Sequence, residues 1–155
     1  MTDPRSARGL ATSHRLDWQA RERIELALPT EPELWALARL TASSVAARID
    51  FGYDEIEDLR LAIDELCTAC ASGAGPLSRL HLCFESSDDS LRVECVVDHV
   101  TTGPRDEDKT LPDGTGDHDL AEMILTELVE DHEIGPIVSG SRRAYLEKRR
   151  ATSRP

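Results

Sequence analysis

At 155 residues, 39% hydrophobic and 31% charged, the chain fits one soluble globular domain with a true core. No window holds 18 consecutive apolar residues and the N-terminus has no apolar signal-like run, so neither a transmembrane helix nor a leader is expected and the cytoplasm is the expected compartment. The net charge of −12 is unevenly spread: residues 1–23 carry five Arg and three acids, residues 142–155 six basic residues and one acid, and residues 24–141 carry 7 basic and 26 acidic residues. An acidic body with basic ends argues against nucleic acid and favours a protein partner with a basic surface, or solubility alone.

Residues 1–21 lack periodicity and read as a flexible basic tail. The domain is expected over 22–150, and 151–155 as a short C-terminal tail. Arg23–Leu28 alternates, with Ile24, Leu26 and Leu28 on one face, and reads as a strand. Thr30 and Glu33 have capping-box spacing with Pro32 between them, opening a helix to about Ile49. Its inner face is expected at Leu34, Leu37, Thr41, Val45 and Ile49. A second helix spans Asp54–Ser72, with Ile56, Leu59, Ile63, Leu66, Cys67 and Cys70 on one side. Asp54, Glu55, Glu57 and Asp58 suit its N-terminal dipole, and Gly73 and Gly75 end it. A second stripe, Asp58, Leu61/Ala62, Glu65 and Thr68/Ala69, is open to two readings: a solvated flank or a pocket wall.

Arg79–Glu85 and Leu91–Asp98 alternate around a polar turn. With Asp88 and Asp89 as the loop, Leu80 pairs with Val97, Leu82 with Cys95, Phe84 with Val93 and Ser86 with Leu91. One face of the sheet is then apolar and the other polar, so helices cover one side only. Cys95 is expected toward the helices and Cys83 away from them. Residues 100–119 are poor in apolar side chains and read as a lid-like loop. His118–Glu130 reads as a helix, with Leu120, Met123, Ile124 and Leu128 at its contacts. Ile134–Ser139 and Arg143–Lys148 read as a closing hairpin around Gly140-Ser141. The expected fold class is α+β: a two-layer sandwich of a mostly antiparallel mixed sheet with helices on one face.

Cys67 and Cys70 form a CxxC late in a helix. No second CxxC or HxxxH completes a zinc site, and a thioredoxin-type pair belongs at a helix start, so no metal set is read. Buried free thiols packed as small apolar groups are the expectation. Asp98 alone reads as a strand-end cap, Asp117 and Asp119 as N-caps of the last helix, and His118 as an exposed turn residue.

The order of elements, RIELALPTEPELWALARL, LRLAIDELCTAC, LRVECVVD and DLAEMILTELVEDHEI together resemble the anti-sigma-factor serine kinases. These belong to the superfamily of histidine kinase-like ATPases with gyrase B, Hsp90, MutL and the histidine kinases. The resemblance covers roughly residues 22–150. It implies ATP and Mg²⁺ as cofactors, Glu65 as general base, and Asp98 as the reader of the adenine amino group. It places Ala69 where the family has the Mg²⁺-binding asparagine; alanine offers no oxygen, and Cys70 is a poor ligand for that ion. Val100 and Thr102 replace two nucleotide-contacting glycines, with Gly103 one position late. The phosphate-cradling GxGL aligns with Asp117-His118-Asp119-Leu120, where Leu120 alone matches; Gly114 and Gly116 just upstream are the substitutes a loop shift would use. Carboxylates beside a triphosphate repel it, by about 4 kcal/mol per contact at 4 Å in an effective dielectric near 20.

The implied function is a regulatory protein of the anti-sigma-factor type in transcriptional or stress control, binding a sigma factor or an anti-sigma antagonist, with a degenerate ATP site that binds ATP and Mg²⁺ weakly or not at all. The alternative is an active ATP- and Mg²⁺-dependent serine kinase that phosphorylates the antagonist. Neither reading involves nucleic acid or a membrane. Homodimerisation through the sheet is a further expectation of the resemblance, with His81, Cys83 and Val96 on the candidate surface.

Overall fold

The computed structural model describes residues 22–98 and 115–152, and for 115–117 the backbone only. The expected tail at 1–21 and residues 153–155 of the expected C-terminal tail lie outside the described residues, as do residues 100–114 of the expected loop. The chain runs β1 (Glu22–Pro29), a 3-10 turn (Pro32–Trp35), α1 (Ala36–Arg48), α2 (Tyr53–Ala71), β2 (Arg79–Ser86), β3 (Ser90–Asp98), α3 (Thr115–Leu128), β4 (Asp131–Ile134) and β5 (Arg142–Arg149).

Five strands form one sheet in the order β1-β2-β3-β5-β4, and all four pairings are antiparallel. The α+β two-layer fold forms as expected, with an antiparallel rather than mixed sheet among the described strands. β2 and β3 take the register that alternation predicts, Leu80 opposite Val97 through Ser86 opposite Leu91. Leu80, Leu82, Phe84, Leu91, Val93, Cys95, Val97, Ala144 and Leu146 are buried on the inner face. Each large apolar side chain placed there contributes about 1.5–3 kcal/mol. The outer face is a checkerboard of charge. Arg23 bonds Glu25 and Glu85, Arg143 approaches Glu94 at 3.8 Å, and Arg92 approaches Glu147 at 3.9 Å while stacking on Tyr145. The exposed pairs among these contribute at most about 1 kcal/mol each, so they solvate the face more than they hold it; Glu147 alone of these acids is buried.

The Thr30–Glu33 capping box does not form. Glu31 takes the N-cap position without a side-chain bond, its carbonyl accepts from Leu34 N–H at 3.0 Å, and the tight turn swings Trp35 inward. α1 therefore starts rotated from the expected phase. Its buried residues are Ala38, Ala42, Val45 and Ala46, whereas Leu37 is 46% exposed and Leu40 60% exposed. Small side chains let the helix approach its neighbours closely, and a pattern weighted to leucine hides this. α1 ends in a Schellman motif: Phe51 N–H reaches Ala46 O, Asp50 N–H reaches Ala47 O, and Asp50 has φ 62°.

α2 buries the predicted face, Leu59, Ile63, Leu66, Cys67 and Cys70, together with Ala62 and Ala69; Ile56 is half-buried. Glu55 accepts from Gly52 N–H at 2.7 Å at its start. α3 begins at Thr115, earlier than His118, which places Asp117 and Asp119 inside the helix rather than at its N-cap, and His118 in a helix rather than a turn. Its packing face is Ala121, Leu125 and, just beyond it, Val129, while Leu120 and Met123 are 54% and 65% exposed, contrary to the expected phase. The final hairpin also differs. Its first strand is Asp131–Ile134; Gly135 still donates to Arg143 O, but Pro136 has no N–H to carry the ladder on, and only Val138 then bridges to Ser141 across Ser139-Gly140.

Candidate functional site

Glu65 lies half-buried on α2, on the side that carries exposed Leu61 and Thr68. One turn further along, Ala69 is 3% exposed and its carbonyl accepts from Arg142 Nη1 at 2.7 Å. The place that the resemblance gives to a metal ligand thus holds a buried methyl group. Among the described residues, no group of three or more His, Cys, Asp or Glu side chains is arranged to hold a metal ion. Ala69 itself has no side-chain oxygen to offer Mg²⁺, an ion that takes oxygen ligands in near-octahedral order.

Asp98 ends β3, and alternation turns it to the outer face. There its Oδ1 accepts from Ser141 Oγ at 3.2 Å, and its Oδ2 lies 3.6 Å from His81 Nε2. Glu65 sits on α2 in the helical layer, whereas the Asp98 carboxylate turns to the opposite face of the sheet. Gly103 and Gly114 lie outside the described residues, as do Val100 and Thr102. Gly116 falls in the first turn of α3, and Leu120 is on its exposed side. A cleft of about 460 Å³ opens on the outer face, lined by Arg92, Glu94, Glu133, Arg143 and Tyr145 among others; it includes none of the expected site residues.

The cations around this region have a structural task that the sequence reading did not assign. Arg142, at the start of β5, donates to Ala69 O and to Ser72 O at 3.2 Å, meeting the C-terminal carbonyls of α2. Lys148, near the end of β5, donates to Leu128 O at 2.7 Å, at the C-terminus of α3, and lies 3.7 Å from Asp58. Arg150 donates to Ile49 O at 3.0 Å, where α1 ends. Each helix end carries partial negative charge and unpaired carbonyls, and each receives a cation. The sequence places Arg143–Lys148 on a closing strand without giving these cations a partner; the signal for their role was the alternation of Arg142, Ala144, Leu146 and Lys148, all buried on one face. Burial pulls the Arg142 guanidinium below its ordinary pKa.

Against the inner side of Arg142 lies a thiol cluster. Cys70 donates to Cys95 O at 3.4 Å and approaches Arg142 O at 3.7 Å. Cys67, Cys70 and Cys95 are fully buried, and Cys83 is half-buried on the other face, as expected. The Cys70 thiol is lowered from its ordinary pKa, chiefly by its hydrogen bond with Cys95 and also by the Arg142 charge; Cys95 is pushed well up by hydrogen bonds with Cys67 and Cys70 and by burial.

Comparison with known proteins agrees with this architecture. A family model described as the histidine kinase-like ATPase domain matches residues 28–137. The chain is 29% identical to the serine-protein kinase RsbW of Bacillus subtilis (strain 168) over 123 residues, covering 79% of this chain and 70% of that protein. It is 29% identical to the serine-protein kinase RsbW of Bacillus cereus (strain B4264) over 124 residues, covering 73% and 77%. A shorter match to the serine-protein kinase RsbW of Bacillus velezensis is 51% identical over 45 residues but spans only 28% of that relative.

Proposed function

The chain belongs to the histidine kinase-like ATPase family, and within it we propose a cytoplasmic regulatory protein of the anti-sigma-factor type that acts by binding other proteins and whose own nucleotide site is degenerate. The observation that carries this reading is Ala69: a buried methyl group stands one turn from Glu65, where a metal ligand would be needed, and its carbonyl is already bound to Arg142. The outward turn of Asp98 toward Ser141 and His81 supports the same loss.

Protein binding draws support from the outer surfaces of α1 and α2. Arg39 Nη1 joins Asp64 Oδ1 at 2.5 Å between the helices, and exposed Leu37, Leu40 and Leu61 lie within a turn of that pair. Exposed apolar side chains grouped around a charged pair are a common feature of partner surfaces. A sigma factor or an anti-sigma antagonist is the partner class this reading implies. A homodimer belongs to the same reading and is tested by sedimentation of the purified chain.

An active serine kinase is the second reading. Glu65 is retained, and α3 begins early enough to bring Gly116 into its first turn, where backbone N–H groups could face phosphate. Calorimetric titration with ATP and Mg²⁺ separates the two. No detectable heat at millimolar ATP is expected. A micromolar dissociation constant that disappears in Asp98→Ala would overturn the degenerate reading.

A further inference from the structure

Cys67, Cys70 and Cys95 meet where the last turns of α2 cross β3, and none is exposed. Cys70 bonds the peptide carbonyl of Cys95 itself, so its sulfur already lies against that residue. The Nε of Arg142, whose main chain Cys70 also approaches, is buried without a hydrogen-bond partner, leaving one N–H donor beside the cluster unused. Alanine or valine would fill the same space without redox chemistry, so three adjoining thiols add a capacity that packing alone does not require. Cys83 stands on the opposite face of the sheet and takes no part.

We propose that Cys70 and Cys95 form a reversible disulfide, driven by a hydroperoxide, that ties the end of α2 to β3. Cys70 attacks first: an S–O bond forms as the peroxide O–O bond breaks, giving a sulfenic acid and one water. The Cys95 sulfur then attacks the sulfenic sulfur, the S–O bond breaks, and a second water leaves with the remaining thiol proton. Two thiols and one hydrogen peroxide thus give one disulfide and two waters, and a dithiol reductant reverses the change. The polarised environment of Cys70, stabilised by Cys95 and Arg142, suits the attacking role. Because the sulfurs are buried, opening of the α2 C-terminal turn sets the rate, and Gly73, with φ 77°, and Gly75 follow that turn directly.

The test treats the reduced full chain with hydrogen peroxide, quenches in acid, alkylates and digests with trypsin. Free thiols should fall from four to two, and the tryptic peptide 61–79 should be joined to 93–105 through Cys70 and Cys95, with dithiothreitol restoring all four thiols. A bond within 61–79, a link through Cys67 or Cys83, an unchanged thiol count or sulfinic acid alone overturns the proposal. Cys67→Ala should keep the link and Cys70→Ala should lose it. Should Cys70→Ala not fold, the peptide map of the unaltered chain decides the matter by itself.

Discussion

Two positions in the final hairpin show opposite demands on one residue. Ser139 and Gly140 join Val138 to Ser141 with φ 52° and 74°, the two-residue turn of type I′ geometry in which both central residues are left-handed. Glycine meets that demand freely and serine does not. Ser139→Asn, which creates the favoured Asn-Gly pair, should raise unfolding free energy by about 0.5–1 kcal/mol in urea titration. Four residues earlier the constraint is space. Gly135 donates its N–H to Arg143 O at 2.9 Å, and a Cβ there would lie 2.8 Å from that same oxygen. Gly135→Ala must push backbone apart and should cost about 1–3 kcal/mol. A wild-type midpoint in Gly135→Ala would mean that the hairpin yields more easily than its hydrogen bond suggests.

The last strand works as a clasp for the helical layer, since Arg142, Lys148 and the following Arg150 each reach the C-terminus of a different helix. Arg142 is 8% exposed and Arg149 points to solvent, so these arginines at the two ends of one strand should respond very differently. Arg142→Met leaves Ala69 O and Ser72 O without this donor and should cost about 1–3 kcal/mol, whereas Arg149→Met should stay within about 0.5 kcal/mol. Equal effects would reduce the clasp to surface charge. Strand register and the inner face of α2 were legible because period-two and helical patterns carry them directly. The phase of α1 was not, because alanines pack it and leucines face out. The early start of α3 was hidden too, since its first turn carries glycine and aspartate. The placement of Glu65 and Ala69 one turn apart on α2 was legible because the helix fixes that spacing. The outward direction of Asp98 follows from the same strand alternation; that Ser141 and His81 claim its carboxylate needed the structure.

At the scale of the whole molecule, proton binding by the core and the sheet sets an alkaline limit. Cys95 is held well above the ordinary thiol pKa by hydrogen bonds with Cys67 and Cys70 and by burial. Cys83 is raised by burial, and Tyr145 by burial and by Asp131, whose carboxylate accepts from its hydroxyl at 3.2 Å. In the unfolded chain these groups ionise near their ordinary values, about 8.5 for thiols and about 10 for tyrosine. The folded chain therefore holds their protons more tightly. Their contribution to stability is complete below about pH 8.5 and is lost as pH rises through the higher folded values. Cys70, lowered chiefly by its bond with Cys95, acts in the opposite sense, as one thiol against two thiols and a tyrosine. With reductant present to keep all four thiols free, the urea midpoint should stay level from about pH 7 to about pH 8 and fall steadily from about pH 8.5 to about pH 10. Cys95→Ala should start from a lower midpoint, because it empties a buried site, but lose less between those limits. A midpoint that climbs across the same range would mean that Cys70 and its Arg142 neighbour, rather than Cys95, govern the titration of the core.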